Sequence, residues 1–340
     1  MLRVAAFTQG RDVPSARFRV HQYIPALQHL GIDMAEWPAE YGSYPPNGVL
    51  RRLAWLPRAF AERAQALMQA ADADAALIQR EMISTLATVE KRWKKPVVFD
   101  VDDAIWIHQR FSGVDRIARA CGTVICGNTF LADHFSDFAD VKIIPTAVDT
   151  LRYEPGKRSG FPLMCWSGST SGLPYLEALE KPLREVFQVL PQAKLRVICN
   201  QPPRFENFPA DKLEFVPWSR KIEVQSMQAA WVGLMPMPDT IWTRGKCSFK
   251  MLTYMSCGVP AVVSPWGMNR EVLAQGEGAM GVPNDAQWAE ILMYLLTSPE
   301  RIAAMGEAGR ATVLEHYSVD VLAVKLAEIL REVANGGKRR

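Results

Sequence analysis

Short apolar runs alternate with helical stretches along almost the whole chain, and this alternation restricts the fold more than any other feature. In the first half the runs with the length and composition of strands are Arg3–Thr8, Ala75–Gln79, Val97–Asp100, Thr123–Cys126 and Lys142–Ile144. The run Val97–Phe99 is continuously apolar and is followed by acids, as is typical of a parallel strand buried on both faces. Strands that alternate with helices form parallel sheets with right-handed crossovers, so the first half predicts an α/β domain.

A second series of strands and helices follows a loop. Residues 145–160 lose periodicity and gather proline and glycine, which indicates a domain boundary. The strands predicted beyond it are Leu163–Ser167, Lys194–Cys199, Leu213–Val216, Val232–Met235 and Ala261–Val263. A helix is predicted over Tyr175–Leu190, and the stretch Pro299–Ala334 is helical by its apolar spacing. At 340 residues the chain fits two domains, so we predict two tandem Rossmann-like parallel-sheet domains, residues 1–155 and 156–318.

Composition restricts the class of protein. A hydrophobic fraction of 49% and a charged fraction of 22% are typical of a folded soluble protein, and a net charge of +3 does not indicate nucleic acid. The six cysteines show neither a CxxC pair nor zinc spacing, which favours thiols in a reducing compartment. The N-terminus begins a strand and not a signal peptide, and no apolar run approaches the roughly 18–20 residues of a membrane span. We expect a cytoplasmic protein with no metal site.

Residues 49–63 mix leucine, tryptophan and phenylalanine with four arginines. A basic segment with this composition predicts peripheral contact with an anionic membrane, at the inner face of the cell membrane. The alternative is a surface helix whose apolar residues reach the core, and Pro57 is expected to interrupt a continuous helix there.

The segment Arg244–Glu271 carries the clearest functional pattern. Basic residues precede a short helix, and Gly258 and Pro260 end that helix ahead of the strand Ala261–Val263. Cations and a helix N-terminus beside the C-terminal end of a strand suit a diphosphate.

This segment resembles the donor-binding region of the family 4 glycosyltransferases, which are retaining enzymes of the GT-B fold. The positions that match the family's phrase are Lys250, Tyr254, Met255, Gly258, Pro260, Val262, Val263, Ser264 and Gly267. Weaker matches follow in the family's order at residues 14–19, 99–106, 145–149, 166–169 and 305–318. The resemblance implies two domains that face each other across a cleft, with the acceptor domain first and the nucleotide-sugar domain second. It also implies a last helix, residues 319–335, that returns to the first domain.

Donor-binding residues are carried over from that resemblance. Arg244, Lys246 and Lys250 are candidates for the diphosphate, with surface cations as the alternative. Gly168 and Ser169 follow the first strand of the second domain and form a candidate anion-binding turn. The Arg and Lys that the family often places after this glycine are absent here.

A second departure concerns acids. The family's E-x(7)-E pair falls on Gly245 and Thr253, so Thr253 is left to supply a weaker hydroxyl contact to the donor. For the sugar, the candidates are Gly267, Met268, Asn269 and Glu271, with helix capping as an equal alternative for Asn269 and Glu271.

The turn that closes the strand Val97–Asp100, with the sequence Asp100-Val101-Asp102-Asp103, provides candidate catalytic carboxylates. Asp102 or Asp103 would orient or deprotonate the acceptor hydroxyl, and Lys250 would stabilise the leaving diphosphate. Carboxylates this close are expected to raise one pKa, which suits a base, although aspartate also caps such turns. On the acceptor side, Gly10 and Arg17 are candidates at the end of the first strand.

The resemblance, together with these residues, implies a retaining, metal-independent glycosyltransferase of the hexosyltransferase type, acting in polysaccharide biosynthesis. It would move a sugar from a nucleotide diphosphate sugar to a surface-glycan or lipid-linked acceptor, without a cofactor. One alternative is a nucleotide-binding protein of the same fold without transferase activity. The other is a phosphohydrolase that uses Asp100 and Asp102. The base stays open between uracil and guanine.

Overall fold

The computed structural model describes residues 1–84, 93–108 and 113–336 and divides the chain into two compact units. The first unit comprises residues 1–147, Gly245–Cys247 and the chain from Val319 onwards. The second unit comprises Val148–Arg244 and Ser248–Ser318. The change from one unit to the next therefore falls between Ala147 and Val148, at the start of the aperiodic stretch.

The first unit is built on a parallel sheet of order β2-β1-β3-β4-β5-β6. Its strands are β1 Leu2–Thr8, β2 Ile32–Pro38, β3 Ala75–Gln79, β4 Val97–Val101, β5 Gly122–Cys126 and β6 Asp140–Ile143. Its helices are α1 Pro14–Arg19, α2 Ile24–His29, α3 Val49–Gln69, α4 Gly113–Cys121 and α5 Thr129–Phe135, with α14 Val319–Gly336 from the end of the chain.

The second unit repeats this architecture with a parallel sheet of order β12-β11-β10-β7-β8-β9. Its strands are β7 Leu163–Ser167, β8 Lys194–Cys199, β9 Leu213–Pro217, β10 Val232–Met235, β11 Ala261–Val263 and β12 Ala279–Gly281. Its helices are α6 Leu173–Glu177, α7 Glu180–Val189, α8 Glu223–Gln228, α9 Ile241–Arg244, α10 Phe249–Ser256, α11 Met268–Leu273, α12 Trp288–Leu296 and α13 Pro299–His316. The predicted pair of parallel α/β sheets is confirmed.

The last helix, α14, belongs to the core of the first unit. Leu322, Leu326 and Leu330 are buried in one cluster with Val4 of β1 and Leu77 of β3. These leucines recur every four residues, which places them on one face of the helix. None of the described helices is both long and apolar enough to cross a bilayer.

Prolines explain where the observed helices differ from the predicted ones. The predicted helix Tyr175–Leu190 is divided into α6 and α7, since Pro182 in the first turn of α7 cannot donate to the preceding turn. The helical stretch after β1 is likewise divided into α1 and α2, and Pro25 opens α2. The cap position of α1 is Val13, and Ser15 lies buried in the first turn of the helix.

Pro57 does not interrupt α3, so that expectation was also wrong. The helix continues from Val49 to Gln69 through the proline. Proline deprives the carbonyl of Leu53 of its helical partner, and Leu53 lies on an exposed part of the helix. Water can bond that carbonyl, which reduces the cost of the missing hydrogen bond.

The strands β2 and β12 were not predicted. In β2 the buried residues Ile32 and Met34 alternate with exposed Asp33 and Ala35, because this strand lies at the edge of its sheet. In β12 three residues, one of them glycine, are too few for a pattern. Edge position and short length weaken the signal of a strand in sequence.

Gly233 in β10 is expected to tolerate no side chain. A Cβ at this position would lie 2.3 Å from the ring of Tyr254, which is fully buried. We expect Gly233→Ala to lower the free energy of unfolding by about 1–3 kcal/mol, measured by urea denaturation. The exposed Gly160 has no atom near its Cβ position, so Gly160→Ala is the matched control and should change stability by less than about 0.5 kcal/mol. Equal effects of the two substitutions would contradict this packing argument.

Candidate functional site

The end of β4 in the first unit is organised by a buried ion pair. Arg19 of α1 donates from Nε and Nη2 to the Asp100 carboxylate, with Nη2–Oδ1 at 2.5 Å, and from Nη1 to the carbonyl of Ile144 at 2.8 Å. Both side chains are almost completely buried. Asp100 is therefore fixed as a structural anion, and the following residues Asp102 and Asp103 are the acids that remain at this turn.

Arg80 binds both of these acids. Its Nε donates to Asp102 Oδ1 at 2.6 Å and its Nη2 to Asp103 Oδ2 at 2.5 Å. Arg80 directly follows β3, and its backbone lies in the left-handed region at φ +56° while its amide donates to the carbonyl of Asp100. This backbone conformation is uncommon for arginine and turns the side chain across the strand ends.

The segment Gly245–Cys247 packs on the same turn. Lys246 Nζ donates to Asp103 Oδ1 at 2.7 Å, and Cys247 Sγ donates to the carbonyl of Asp102 at 3.1 Å. Gly245 permits this approach, because a Cβ there would lie 2.7 Å from the Cβ of Ala104. Lys246, which the sequence placed with the diphosphate, therefore contacts a candidate catalytic carboxylate.

Ion pairing sets the protonation of the turn. Burial would raise the pKa of Asp102, but Arg80, with Arg19 and Lys246 nearby, holds that pKa below its ordinary value. The expected upward shift occurs instead at Asp100, where burial raises the pKa against the opposing effect of Arg19. Asp102 is consequently a charged carboxylate, better suited to orient a hydroxyl than to remove its proton.

The ends of β1 and β3 contain buried carboxamides without protein partners. Among the described residues, both side-chain atoms of Gln9 and of Gln79 are buried and make no hydrogen bond. Gly10, at φ +145°, follows Gln9, and half-buried Arg17 lies 5.0 Å from the ring of Phe18. Buried amides of this kind are normally satisfied by water or by a ligand.

In the second unit, the side chain of Lys250, a residue of α10, lies beside the end of β7. Its Nζ is 4.5 Å from the ring centroid of buried Trp166, a cation–π contact. A Cβ at Gly168 would lie 2.8 Å from that Nζ, so the glycine permits the lysine to approach the turn. The amide of Gly168 donates to the carbonyl of Ile198, which leaves Ser169 and Thr170 as the candidate amides for an anion.

Tyr254 connects the helix that carries Lys250 to the end of β7. It lies one helical turn after Lys250 on α10, and its hydroxyl accepts from the amide of Ser167 at 2.7 Å. Burial raises its pKa well above the ordinary tyrosine value. Tyr254 therefore connects α10 to the end of β7 as a neutral hydrogen-bonding group.

Arg244 occupies a different position in this unit. Its guanidinium forms two bonds with Asp239, at 2.6 and 2.7 Å, and the side chain is half exposed. Gly267, at φ +52°, packs on its backbone, because a Cβ there would lie 2.5 Å from the carbonyl of Arg244. The three cations predicted for the diphosphate thus lie in separate environments.

Two of the predicted donor contacts are engaged inside the second unit. Asn269 is completely buried, accepts from Ser248 Oγ at 2.6 Å and donates to the carbonyl of Ser264 at 2.8 Å. Thr253 is buried and donates to the carbonyl of Lys250 at 2.9 Å. This geometry favours the structural alternative for Asn269, while half-buried Glu271 stays a candidate and Met268 contributes to the core.

Two residues important to the site were not predicted as functional. Arg80 could have been found as a cation directly after a buried strand, beside the strand that carries the acids. Trp166 was part of a matching motif, but its contact with Lys250 depends on the pairing of elements distant in sequence. Elsewhere, the six cysteines, all among the described residues, form no disulfide, and burial raises the pKa of Cys165 and Cys257 to about 12. The described residues contain no group of three or more His, Cys, Asp or Glu able to hold a metal ion.

Comparison with known proteins finds similarity to glycosyltransferases. Residues 178–328 match the model of a family described as glycosyl transferase-like. Over 253 residues, the chain is 26% identical to a GDP-mannose-dependent monoacylated alpha-(1-6)-phosphatidylinositol monomannoside mannosyltransferase of Corynebacterium glutamicum. That match covers 64% of this chain and 65% of the relative, so the chain spans about two thirds of the relative's length.

Solved structures show the same fold. Sucrose-phosphate synthase from Thermosynechococcus elongatus matches with a TM-score of 0.73 at 12% identity, covering 98% of this chain and 99% of that one. Anabaena HepE in complex with UDP-glucose matches at 0.70 and 12% identity, covering 98% and 100%. Trehalose 6-phosphate synthase from Burkholderia multivorans matches at 0.69 and 14% identity, covering 99% and 98%. The chain therefore has the GT-B fold of these proteins, and residues 178–328 resemble a glycosyl transferase-like family.

The low pKa of Asp102 predicts how acid affects stability. Because the folded pKa lies below the ordinary value of 3.8, ionised Asp102 stabilises the fold above about pH 4, and this contribution is lost as the pH falls through the folded pKa. We expect Asp102→Asn to cost about 2 kcal/mol at pH 7, with a cost that shrinks as the pH falls below 4. Urea denaturation at several pH values checks this, with exposed Asp72→Asn as the control. A cost independent of pH would contradict the ionic origin.

Proposed function

We propose that this protein is a retaining glycosyltransferase that moves a sugar from a nucleotide diphosphate sugar to a hydroxyl of a surface-glycan or lipid-linked acceptor. The observation that carries the proposal is the position of Lys250, whose Nζ lies beside the Gly168 turn at the C-terminal end of β7. Parallel sheets bind ligands at this edge, and a cation beside a glycine turn suits a diphosphate.

The chemistry depends on the leaving group. Negative charge develops on the diphosphate as the glycosidic bond breaks, and Lys250 with the amides of Ser169 and Thr170 would stabilise it. The indole of Trp166 holds the lysine in place, so little reorganisation is needed during the reaction. Because protein cations supply this charge, we propose that transfer requires neither a metal nor a cofactor.

The donor's base stays open between uracil and guanine. HepE is described in complex with UDP-glucose, and the Corynebacterium relative is described as GDP-mannose-dependent. Either nucleotide presents the same diphosphate to Lys250, so the phosphate site does not distinguish them.

The acceptor is assigned to the first unit. Asp102 and Asp103 are held by Arg80 and would orient the acceptor hydroxyl, while Gly10 lies just after β1 and Arg17 lies in α1 of the same unit. The unsatisfied carboxamide of Gln9 beside Gly10 supports a polar ligand or water at this edge.

Two other functions are alternatives to transfer. Loss of the family's acidic pair favours a nucleotide-binding protein without transfer, because buried Thr253 is already bonded to Lys250 and offers no replacement contact. The phosphohydrolase reading is disfavoured, since Asp100 is buried and bonded to Arg19 and is not placed to attack a phosphate.

The proposal is tested with a panel of UDP- and GDP-sugars in the presence of EDTA. Calorimetry with UDP and GDP measures binding, and proton NMR follows donor hydrolysis or transfer to simple alkyl glycoside acceptors. We expect one nucleotide to bind without metal and the product to keep the donor's anomeric configuration. Binding without turnover for any donor would favour the non-catalytic alternative, and an inverted product would overturn retention.

Lys250→Ala tests the phosphate site directly. Loss of a charge-assisted contact to the diphosphate should weaken nucleotide binding about 10–100-fold and reduce turnover at least as much. Lys181→Ala removes the same charge from an exposed position on α7 of the same unit and should leave both quantities unchanged. If Lys250→Ala binds nucleotide normally by calorimetry, the diphosphate site is elsewhere.

We further propose that the first half of α3 contacts an anionic membrane. Leu50 and Leu53 are 83% and 66% exposed, and Val49 and Leu56 are exposed beside them. The exposed arginines in the same stretch are Arg51, Arg52 and Arg58. A helix with exposed leucines, several arginines and no acid before Glu62 suits the interface of an anionic bilayer.

Leu53→Glu should weaken binding to vesicles of phosphatidylcholine with phosphatidylglycerol. The carboxylate removes an apolar contact and is repelled by the anionic surface, so we expect a decrease of about tenfold or more in a flotation assay. Ala54→Glu makes the same charge change at the next residue, on another side of the helix, and should have a smaller effect. If wild-type protein does not float with these vesicles, the membrane contact is wrong, whatever the result with nucleotides.

A further inference from the structure

One apolar face runs the whole length of α3 and past its end. Its members recur at spacings of three or four residues, so they share one side of the helix. They are Val49, Leu53, Leu56, Phe60, Ala64, Leu67 and, just beyond the helix, Ala71. A helix of 21 residues is roughly 30 Å long, so the face is long enough to join the exposed leucines at one end of the helix to a pocket at the other.

The two halves of this face have different surroundings. In the first half the side chains of Val49, Leu53 and Leu56 are exposed. In the second half the face borders a cavity of about 470 Å³. The cavity is lined by Ala64, Leu67, Met68, Ala71, Trp93, Lys94 and Lys95.

The side chains that line the cavity suit a ligand with an apolar chain and a negatively charged head group. Its lining is predominantly apolar, and its volume lies in the range of about 300–1,000 Å³ that small-ligand pockets occupy. Lys94 is exposed, while Lys95 Nζ donates to the carbonyls of Ala71 and Ala73, which keeps that ammonium at the wall. Two cations beside an apolar wall match an acyl chain that carries a negative head group.

We propose that this cavity binds one acyl chain of an anionic membrane lipid, and that the apolar face of α3 guides the chain into it from the bilayer. An acyl chain in the cavity exchanges contact with water for contact with Leu67, Met68 and Trp93. Its head group stays beside Lys94. The acyl-chain site rests on the proposed function in one respect. A lipid-linked acceptor bound in this cavity would be held by the first unit, which is the unit proposed to bind the acceptor.

Binding is measured with cis-parinaric acid, a fluorescent fatty acid with a carboxylate head, titrated into the full chain without detergent. We expect saturable fluorescence enhancement with wild-type protein. Met68→Glu should weaken it about tenfold, which corresponds to about 1.4 kcal/mol, because it places a carboxylate at the apolar wall. Met68 is 70% exposed, so this substitution should not disturb folding.

Gln69→Glu is the matched control, since it makes the adjacent exposed residue acidic on the other side of the helix. It should change the affinity by less than about twofold if long-range repulsion is weak in buffered salt. A second pair uses volume in place of charge: Ala64→Trp fills the cavity and should weaken binding, and Ala61→Trp, at an exposed position, should not.

Absence of saturable binding to wild-type protein would overturn the proposal, as would equal loss in the paired variants. Nucleotide calorimetry on the same samples separates the two hypotheses. Met68→Glu should bind nucleotide like wild type, so loss of fatty-acid binding alone concerns the cavity. Failure of nucleotide binding with intact fatty-acid binding concerns only the proposed transferase.

Discussion

The buried pair of Arg19 and Asp100 is the interaction on which the first unit's candidate site depends. Arg19 bonds both Asp100 and the carbonyl of Ile144, so one guanidinium joins α1, the end of β4 and the chain after β6. An unpaired charge at such a place costs about 3–5 kcal/mol, so the pair must persist wherever the sheet is folded. The pair fixes Asp100 near the end of β4, and therefore the direction of the chain that carries Asp102 and Asp103 beyond the strand.

This constraint divides the charges of the strand ends into two groups. Arg19 compensates Asp100 inside the unit, whereas Arg80 and Lys246 compensate the acids nearer the surface. The outer group keeps some exposure, since the side chains of Arg80, Asp102 and Asp103 are each 13% exposed. In the proposed reaction, an acceptor hydroxyl at Asp102 would meet an ionised, hydrogen-bonded carboxylate whose orientation is already fixed, which would reduce the entropy lost on positioning the acceptor.

The fold could be predicted from the sequence because the central strands are buried on both faces and read as apolar runs. Strand β2 was not predicted, because in this edge strand buried and exposed residues alternate. The expected break in α3 was wrong, because an exposed helix tolerates Pro57. The site was harder to predict. Arg244, Lys246 and Lys250 lie within seven residues, yet Gly245 and a left-handed Ser248, at φ +51°, turn their side chains toward different partners. Sequence spacing cannot show such turns, and it cannot show that Asn269 bonds Ser248 inside the protein.

The exposed half of α3 has an energetic consequence for how the protein would meet a membrane. Three arginines near an anionic surface contribute about 1 kcal/mol each, and partial burial of the exposed leucines contributes about as much again. A total of about 6 kcal/mol is close to the affinity of a single myristoyl chain, which binds membranes only reversibly. A helix of this kind would therefore deliver the enzyme to lipid without fixing it there. The residence time of the protein on the membrane would be longer when an acyl chain fills the cavity beside Leu67, because that chain must leave the cavity before the protein dissociates.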